Sequence, residues 1–422
     1  MRKIKFLKRT LCLFLTITTL FSLSGCTSQI KADDLTKDFS SQPVDEKSAD
    51  ESFTTKQMDF ALKLFQNTVK ERSDNNILVS PLSVMLALSM AANGADTETR
   101  SEMEHVLAGN FSIEELNEYL HTFTKNLPYS KYGQLHIANS IWLRDDEDFH
   151  VNHDFLQTCS SYYDAQIYQA AFDQQTLKDI NNWAAQNTDN MIKEVLQEIP
   201  DGAIMYLINA LAFDAEWETI YQNTQILDDS FTSIQGKTNP VEMMYSSEYT
   251  YLDDRNATGF LKNYKDGSYQ FAALLPNEDI DIYEYIESLN FETLTQTIQN
   301  ASNETVYAAI PKFSYDFSIE LNDILKTLGM PSAFDLQDAD FTNLGTYSDQ
   351  NIYISNVLHK TFISVDEKGT KAGAVTVTEF DAGASLSEPK KVILNRPFVY
   401  MIIDGETKLP VFIGAVMDLP AN

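Results

Sequence analysis

The stretch NNILVSPLSVMLALSMAANGADTETRSEM spans residues Asn75 to Met103 and restricts the fold strongly. Ser80 followed by Pro81 is typical of a helix that begins with a serine N-cap and a proline in its first turn. Asn93-Gly94 supplies residues that commonly end a helix. Because the positions between these signals are apolar on most faces, they predict a helix that is buried inside a domain.

The periodicity elsewhere predicts one large mixed α+β domain that begins near Phe53 and carries many strands near its end. Helices are predicted at 53–69, 180–196 and 319–330. Strands are predicted at 136–143, 203–213, 269–276, 351–367, 392–403 and 409–417. The run Ala203–Phe213 is apolar at almost every position, which favours a strand buried on both faces. An Asp404-Gly405 turn is predicted to join the last two strands.

The composition is that of an acidic protein with enough apolar residues for one large core or two smaller ones. Of the 422 residues, 43% are hydrophobic, and the formal net charge is -30. Several basic residues lie within the first ten positions, so the rest of the chain is more acidic still. Since such a surface repels phosphate backbones, we expect no nucleic-acid partner.

The N-terminus predicts export and a lipid anchor. A basic start leads into the apolar run Leu11–Leu23, which is too short for an ordinary membrane-spanning helix but suits a signal peptide. The following Ser24-Gly25-Cys26 resembles a bacterial lipoprotein signal, in which the leader is cut before a cysteine that then receives a diacylglyceryl group. We therefore predict a signal peptide at 1–25 and a lipidated Cys26. The alternative is an ordinary secretory leader with an incidental cysteine.

The segment after that cysteine is polar and carries charges of both signs. Residues 26–52 are therefore predicted to form a flexible tether. Such a tether would hold the folded body at the outer face of a bacterial cell membrane.

The cysteines predict a fold without disulfide bonds. Cys12 leaves with the leader, Cys26 is lipidated, and Cys159 remains alone. An exported protein without a cysteine pair relies on its core for stability. Cys159 is predicted to be a small buried apolar residue, with a nucleophile as the weaker alternative.

A search for enzyme motifs finds no nucleophile elbow, phosphate-binding loop, H-E-x-x-H or C-x-x-C pattern. His150 and His153 are close in sequence but lack a nearby third ligand, so a chance surface pair is favoured over a metal site. Gly369, Gly373 and Gly383 do not match a dinucleotide-binding fingerprint. The sequence therefore predicts no cofactor, no metal and no catalytic residue, and an exported hydrolase with an unrecognised site is only a distant alternative.

Many segments of the chain resemble the serpins, a family of serine protease inhibitors, and they follow one another in the family's order. Besides 75–103, these segments are 180–196, 207–217, 241–245, 272–276, 309–330, 359–376, 395–404 and 409–419. The resemblance extends from about Phe53 to Pro420, nearly the whole mature body. It implies a serpin domain at 53–422 with large mixed β-sheets, about eight or nine helices and an exposed reactive-centre loop at about 367–390.

The resemblance also implies a mechanism of inhibition. In inhibitory serpins a protease attacks the exposed loop and forms an acyl-enzyme, and the cut loop then inserts into the main β-sheet as a new strand. The protease is dragged along and cannot complete hydrolysis. The expected function is thus that of a suicide substrate for serine-type endopeptidases. A serpin-fold binding protein that traps no protease is the alternative.

The loop sequence itself suits insertion, because its side chains alternate in character as a strand requires. The even positions are small and uncharged: Thr370, Ala372, Ala374, Thr376 and Thr378. Both charges fall at odd positions: Lys371 and Glu379, which flank Gly373, Val375 and Val377. The even face can therefore enter a packed interior without burying a charge, which would cost several kcal/mol per ion. This alternation favours inhibition over the non-inhibitory alternative.

The resemblance implies two further groups of residues. The hinge of the loop comprises Glu367, Gly369, Thr370, Ala372, Gly373 and Ala374, and the backbone freedom of Gly369 would let the loop swing. Lys371 departs from the acidic residue usual in the family. A polar cluster beneath the place where the sheet opens comprises Ser80, Ser83, Asn209 and His359, whose groups can re-pair as strands part.

The cleaved bond is placed less sharply than the hinge. The family's spacing from Glu367 gives Gly383-Ala384, and the slightly long segment that follows leaves other bonds open. The alternatives are Ala382-Gly383, Ala384-Ser385 and Leu386-Ser387. Small residues favour an elastase-like or subtilisin-like serine protease, with a cysteine protease as the alternative class. The absence of Arg or Lys between Lys371 and Lys390 disfavours a trypsin-like target. The expected inhibitor is a monomer.

Overall fold

A computed structural model describes residues 30–72, 75–128, 132–348, 350–370 and 389–421, and the structural statements below concern these residues. The mixed α+β fold predicted from the sequence is confirmed. The helices of these ranges are α1 (Glu51–Glu71), α2 (Pro81–Ala92), α3 (Thr97–Leu107), α4 (Ile113–Asn126), α5 (His153–Tyr163), α6 (Gln174–Asn187), α7 (Ile282–Ser288), α8 (Phe291–Gln299) and α9 (Asn322–Leu328).

The strands are β1 (Asp33–Asp34), β2 (Ile77–Val79), β3 (Gly133–Arg144), β4 (Phe149–Val151), β5 (Gln166–Ala170), β6 (Met205–Glu216), β7 (Ile226–Thr232), β8 (Thr238–Glu248), β9 (Thr250–Asp253), β10 (Ala257–Asn263), β11 (Tyr269–Pro276), β12 (Val306–Pro311), β13 (Phe313–Glu320), β14 (Gly345–Tyr347), β15 (Asn356–Val365), β16 (Gly369–Thr370), β17 (Lys390–Ile393), β18 (Phe398–Asp404) and β19 (Pro410–Val416).

The strands form three large sheets and one small pair. The main sheet has seven strands in the order β1-β5-β3-β6-β16-β15-β13. A six-stranded sheet has the order β2-β19-β18-β11-β10-β9, and a four-stranded sheet has the order β17-β12-β8-β7. Strands β4 and β14 pair separately.

Helix α2 lies at the centre of the protein, as its apolar sequence predicts. The Ser80 side chain accepts a hydrogen bond from the Ser83 amide, Pro81 begins the helix, and Asn93 caps its end. Every residue of α2 is buried, and the helix packs against β3, β6 and β19. This position puts the beginning of α2 directly beneath the middle of the main sheet.

The main sheet is covered on both faces. One face packs on the large core that includes α2 and the six-stranded sheet. A second, smaller core lies between the opposite face and α6, and it contains Trp142, Trp183, Ile208 and Leu358. The prediction that 203–213 is a strand buried on both faces is therefore confirmed.

Residues 30–50 lie along the body, so the prediction of a flexible tether over 26–52 is wrong for this part. Strand β1 pairs with β5 and forms one edge of the main sheet, and the amides of Lys31 and Ala32 both donate to the buried carboxylate of Asp179 at 2.9 Å. Leu35 and Phe39 pack against the core. The polar composition suggested a solvated chain, but a few apolar side chains and a buried acceptor are enough to dock it.

Several predicted elements start later, end earlier or divide. The helix predicted at 180–196 ends at Asn187, because Asp189 and Asn190 adopt left-handed backbone angles with φ of 49° and 60°. The helix predicted at 319–330 begins only at Asn322, since the preceding residues belong to β13. The strand predicted at 392–403 divides into β17 and β18, and Pro397 lies in the break.

Candidate functional site

The main sheet divides at one end, and the short strand β16 occupies the division. Strands β6 and β15 pair directly in parallel from Asn356–Tyr206 to Phe362–Ala212. Beyond that point β16 lies between them and is antiparallel to both: Thr370 pairs with Ala215 on β6 and with Val365 on β15. The first residues of the predicted loop are therefore already part of the sheet.

Hinge residue Thr370 is completely buried. Its hydroxyl lies 2.6 Å from the hydroxyl of Tyr264, whose ring stacks on Trp217 with centroids 4.5 Å apart. The Trp217 backbone amide donates to the Lys368 carbonyl, and its indole Nε1 donates to the Asp366 carbonyl at 2.9 Å. Trp217 and Tyr264 thus hold the start of the loop: Trp217 contacts the loop backbone, and Tyr264 contacts the Thr370 side chain.

Gly369 is needed in this place for a steric reason. A Cβ atom added to it would lie 2.0 Å from the carbonyl oxygen of Ala215, which is far inside a normal contact. Its backbone is not in the left-handed region. The described structure therefore accounts for this glycine by close approach to β6; the swing of the loop about it stays a prediction.

Glu367 forms part of an ionic group at the base of the hinge. The Lys312 Nζ lies 3.0 Å from a carboxylate oxygen of Glu367 and 3.4 Å from one of Glu242. The hydrogen bond from Lys312 lowers the pKa of Glu367. Burial opposes the charge on Lys312, but the two carboxylates outweigh it and raise the pKa of Lys312. Both groups are therefore charged at neutral pH, and Lys312 connects β12–β13, β8 and the hinge.

The four residues predicted to form a polar cluster do meet beneath the sheet. Ser80, Ser83, Asn209 and His359 are all completely buried. The Ser80 amide donates to His359 Nε2 at 3.0 Å, and His359 Nδ1 lies 2.5 Å from the side-chain oxygen of Asn209. The Asn209 amide group donates to Ser83 Oγ. These contacts connect the beginning of α2 to both strands that flank the division.

The hydrogen bonds define the protonation of His359. Because Nε2 accepts from a backbone amide, it carries no proton, and Nδ1 must be the donor to Asn209. Burial lowers the pKa of His359 to about 3. The imidazole is therefore neutral at physiological pH, and the cluster contains no charge.

Asn139 and Thr361 belong to this region but were not identified from the sequence. The Asn209 amide group donates to the side-chain oxygen of Asn139, and Asn139 faces Asn209 across the β3–β6 pair. Thr361 donates from its hydroxyl to the Leu78 carbonyl at 2.8 Å. An asparagine inside a predicted strand was a usable signal, because asparagine is rare there.

Several predicted site residues lie outside the described residues. These are the lipidation site Cys26, the hinge residues Ala372, Gly373 and Ala374, and the cleavage candidates Ala382, Gly383, Ala384, Ser385, Leu386 and Ser387. Among the predicted hinge residues the structure places Glu367, Gly369 and Thr370.

The remaining candidates have ordinary surroundings. Cys159 is buried, as predicted, and burial raises the pKa of its thiol. His150 lies in β4 and His153 at the start of α5, and the described part of the chain holds no cluster of three or more His, Cys, Asp or Glu side chains that could bind a metal ion. Within the same residues, no helix has the length and apolar character needed to cross a membrane.

The divided sheet, the antiparallel two-residue strand in the division and the polar cluster beneath it define a serpin. A sequence model of the family described as "Serpin (serine protease inhibitor)" matches residues 55–419, so this chain belongs to the serpin family. Members of the family are generally protease inhibitors rather than enzymes.

Relatives of known name support this assignment over most of the chain. Human neuroserpin is 28% identical over 377 residues, which cover 85% of this chain and 90% of neuroserpin. The native state of a thermophilic serpin, tengpin, is 47% identical with a TM-score of 0.89, covering 92% of this chain and 100% of tengpin. Human thyroxine-binding globulin, solved in complex with thyroxine, has a TM-score of 0.77 at 24% identity over 87% of this chain and 98% of that protein. This last likeness concerns the fold alone.

Proposed function

We propose that this serpin inhibits serine proteases as a suicide substrate whose cut loop inserts into the main sheet. The position of β16 carries the proposal. Gly369 and Thr370 already form the first antiparallel pairs between β6 and β15, where an inserted strand must begin. Continuation of the same strand requires only that the direct β6–β15 pairing be separated.

The pairing of Thr370 supports one register for the proposed inserted strand. Each further residue moves one position down β6 from Ala215 and one position down β15 from Val365. Thr376 would then lie opposite Asn209 on one side and His359 on the other. The sequence places small uncharged residues at the even positions from Thr370 to Thr378 on this inward face, which supports insertion without a buried charge.

Thr376 has the chemistry to replace the contact that insertion breaks. Neighbouring strands lie about 4.8 Å apart, so a strand between β6 and β15 would roughly double the distance between Asn209 and His359. Their hydrogen bond could no longer form directly. A threonine hydroxyl both donates and accepts, so Thr376 could accept from His359 Nδ1 and donate to the Asn209 side-chain oxygen.

The opposite face of the inserted strand would meet the second core. In the same register Val375 would lie opposite Ala210 and Lys360, and Val377 would lie opposite Ile208 and Leu358. Ala210, Ile208 and Leu358 are buried in the core beneath α6. The odd positions of the inserted strand would therefore not all face solvent, because α6 covers the lower part of that face. It also accounts for valine, rather than a charge, at these two positions.

The protease is trapped because it completes the acylation step of proteolysis but not the hydrolysis that follows. The protease serine oxygen attacks the Gly383 carbonyl carbon, the bond to the Ala384 nitrogen breaks, and the proton lost by serine passes to that amine. The ester that remains joins the protease to the loop. Insertion adds strand hydrogen bonds worth roughly 0.5–1.5 kcal/mol each, and distortion of the protease then prevents hydrolysis of the ester.

The sequence near the cleaved bond supports a protease with a shallow specificity pocket. Gly383-Ala384 is the proposed bond, and elastase-like or subtilisin-like enzymes are the proposed targets, with cysteine proteases as the other class. A monomer is sufficient for this mechanism. We further propose that the signal at 1–25 and lipidation of Cys26 place the inhibitor on the outer face of a bacterial membrane.

The second candidate is a serpin-fold binding protein without inhibitory activity. Thyroxine-binding globulin shares the fold and is named for its ligand. The inward face of the loop in this chain disfavours that candidate, because it carries no proline or charge that would oppose insertion.

A covalent complex is the direct test. The purified body should form a denaturant-resistant complex with an elastase-like or subtilisin-like protease, and mass spectrometry of the released C-terminal peptide should map the bond. Loop cleavage without any complex would support the binding-protein alternative instead.

Two arginine substitutions, one position apart, test insertion itself. Ala372→Arg would place a charge opposite buried Phe213 and Ile363, whereas Lys371→Arg keeps an existing charge on the other face. We expect Ala372→Arg to be cleaved as a substrate with little or no trapping and Lys371→Arg to trap normally. Equal trapping by both variants would contradict the proposed register.

A further inference from the structure

The N-terminal segment 30–50 meets the body at one particular end of the main sheet. Asp33 of β1 pairs with Gln169 of β5, and Gln169 pairs in turn with Leu143 of β3. Leu143 pairs with Met205, the first residue of β6. The segment therefore joins the row of the sheet in which β6 begins.

The hinge of the loop lies at the opposite end of the same strand. Thr370 pairs with Ala215, ten positions along β6 from Met205. Since each residue of a strand adds about 3.3 Å, the start of the loop lies roughly 33 Å along the strands from the row that contains Asp33. The attachment of the N-terminal segment and the loop thus lie at opposite ends of the sheet.

The first described residues are fixed to the body, and the proposed lipidation site is close to them in sequence. Ile30 and Ala32 pack against the core beneath α6, and the Lys31 and Ala32 amides donate to Asp179. Cys26 precedes Ile30 by four residues, which can span at most about 14 Å. A lipid on Cys26 would therefore hold this end of the body within about 14 Å of the bilayer.

The base is defined here as Asp33, residues 145–148 and residues 201–204. All four residues of 145–148 are acidic and most of them are exposed. The Asp145 amide donates to the Ala170 carbonyl at 2.7 Å, so this run lies at the end of β5. Because an anionic bilayer repels carboxylates, the charge of the base would not hold it on the membrane, and the docked segment would have to do so.

Loop insertion would deliver the protease to the base. Gly383, the proposed site of the ester, follows Thr370 by thirteen positions, and thirteen positions back from Ala215 is Gly202. A protease of about 240 residues has a radius of gyration of about 18 Å, which corresponds to a diameter of roughly 45 Å. It is therefore larger than the space of about 14 Å that the docked segment leaves between the base and the bilayer.

We propose that the base faces the bilayer in the lipid-anchored protein, and that segment 30–50 detaches from the body when a trapped protease reaches the base. This proposal rests on the proposed lipidation and the proposed inhibition. Detachment would leave 24 residues between Cys26 and Asp50, which span at most about 80 Å and provide room for the protease. Few backbone pairs oppose it, because β1 has only two residues.

The orientation is tested by energy transfer to labelled lipid. The full-length lipidated protein is placed in vesicles of phosphatidylethanolamine and phosphatidylglycerol that carry an acceptor dye on their headgroups. A donor dye is attached at Glu147→Cys in the base or at Glu218→Cys near the hinge, and Cys159 is too buried to react. We expect transfer to be several-fold more efficient from position 147. Equal transfer from the two positions would overturn the orientation.

Detachment is tested by a reversible covalent link. Asp33 and Gln169 are direct partners in an antiparallel pair, so Asp33→Cys with Gln169→Cys has a spacing that suits a disulfide bond. The oxidised double variant cannot release the segment, and the reduced form of the same protein is the matched control. On vesicles we expect the oxidised form to be cleaved with loss of most trapping, whereas the reduced form should trap like the unmodified protein.

The same double variant without the anchor separates this proposal from inhibition itself. A body that begins at residue 27 keeps every described residue, and both its oxidised and its reduced forms should trap protease in solution. If the reduced soluble body traps nothing, inhibition and this proposal are both overturned. Equal trapping by the two forms on vesicles would overturn detachment while inhibition stands, as would a lack of diacylglyceryl on Cys26 by mass spectrometry. If only the oxidised soluble body fails, the segment must move for insertion itself, and the role given to the bilayer is wrong.

Discussion

His359 on β15 donates a hydrogen bond to Asn209 on β6 across the line along which these two strands must separate. The Nδ1–Oδ1 distance is 2.5 Å, and both side chains are completely buried. The contact therefore closes the sheet in the present state and has to be broken for a strand to enter. Its loss would leave two buried polar groups unpaired unless the entering strand supplies a partner.

Thr376→Val tests whether the loop supplies that partner. We expect the intact variant to melt like the unmodified protein, because the proposed contacts form only after insertion. The loop-cleaved variant should be less stable than loop-cleaved unmodified protein by about 1–3 kcal/mol, the cost of unpaired buried polar groups. Thermal and denaturant unfolding of both forms measures this difference.

Thr376→Ser is the matched control for that substitution. Serine keeps the hydroxyl, so its cleaved form should recover most of the lost stability. Equal destabilisation by valine and serine would show that retention of the hydroxyl does not restore stability, and the proposed bridge would then be wrong.

Acid should destabilise the protein through His359. The unfolded chain binds this proton with a pKa near 6.5, whereas the folded site has a pKa of about 3. Between these values the unfolded state holds more protons, so the contribution of His359 is complete above pH 6.5 and is lost as the pH falls. At pH 5 the loss is about 2 kcal/mol, at roughly 1.4 kcal/mol per pH unit.

His359→Gln separates this effect from the titration of the many carboxylates. The variant should be less stable at pH 7 but should lose less stability than the unmodified protein between pH 7 and pH 5. Parallel plots of unfolding free energy against pH for the two proteins would contradict the assignment.

Lys312→Met tests the ionic group at the hinge. Removal of the cation leaves the carboxylates of Glu242 and Glu367 close together without compensation. Since these side chains are partly solvated, we expect a loss of only about 0.5–1 kcal/mol. Urea unfolding at low and high salt measures it, and added salt should reduce the difference. The double variant Lys312→Met with Glu367→Gln should recover part of the loss, and no recovery would show that Glu367 is not coupled to Lys312.

Gly369→Ala should force β16 out of the sheet. The added methyl group would collide with the Ala215 carbonyl, and the Cα of Glu216 would be only 2.8 Å away. We expect faster hydrogen exchange in the peptide that contains Thr370 and a change in Trp217 fluorescence. A Thr370→Ala variant, which keeps the backbone pairs but loses the Tyr264 contact, provides the comparison. Unchanged exchange in Gly369→Ala would mean that β6 can move aside.

The sequence was sufficient for those parts of the site whose signals are local. The Ser80-Pro81 start of α2 was visible as a cap, and the loop alternation is visible in consecutive residues. The cluster residues Ser80, Ser83, Asn209 and His359 came from a family resemblance, because residues as distant in sequence as Ser80 and His359 show no local sign of contact. Asn139 could have been identified locally, because it is an asparagine inside a predicted strand, but its contact with Asn209 could not.

The docked segment 30–50 shows where local reasoning fails. Its polar composition resembles that of a tether, and its partner Asp179 is more than a hundred positions away in the sequence. The early end of α6 was easier to predict from the sequence, because Asp189 and Asn190 are residue types that tolerate the left-handed backbone. The steric requirement for glycine at position 369 arises from the neighbouring strand β6, so the identity of the residue alone could not reveal it.

The two residues of β16 would affect the rate of loop insertion as well as its direction. Placing a free chain end against a sheet closes a loop, and this closure lowers the conformational entropy of the chain. The entropy is lost before any stabilising strand contact has formed. In this protein that closure is completed when the chain folds, since Thr370 is already seated beside Ala215. After cleavage, insertion would be an extension rather than an initiation. Loop insertion competes with hydrolysis of the acyl-enzyme. The rate at which β6 and β15 separate, starting from the Ala212–Phe362 pair, would then decide which reaction is faster.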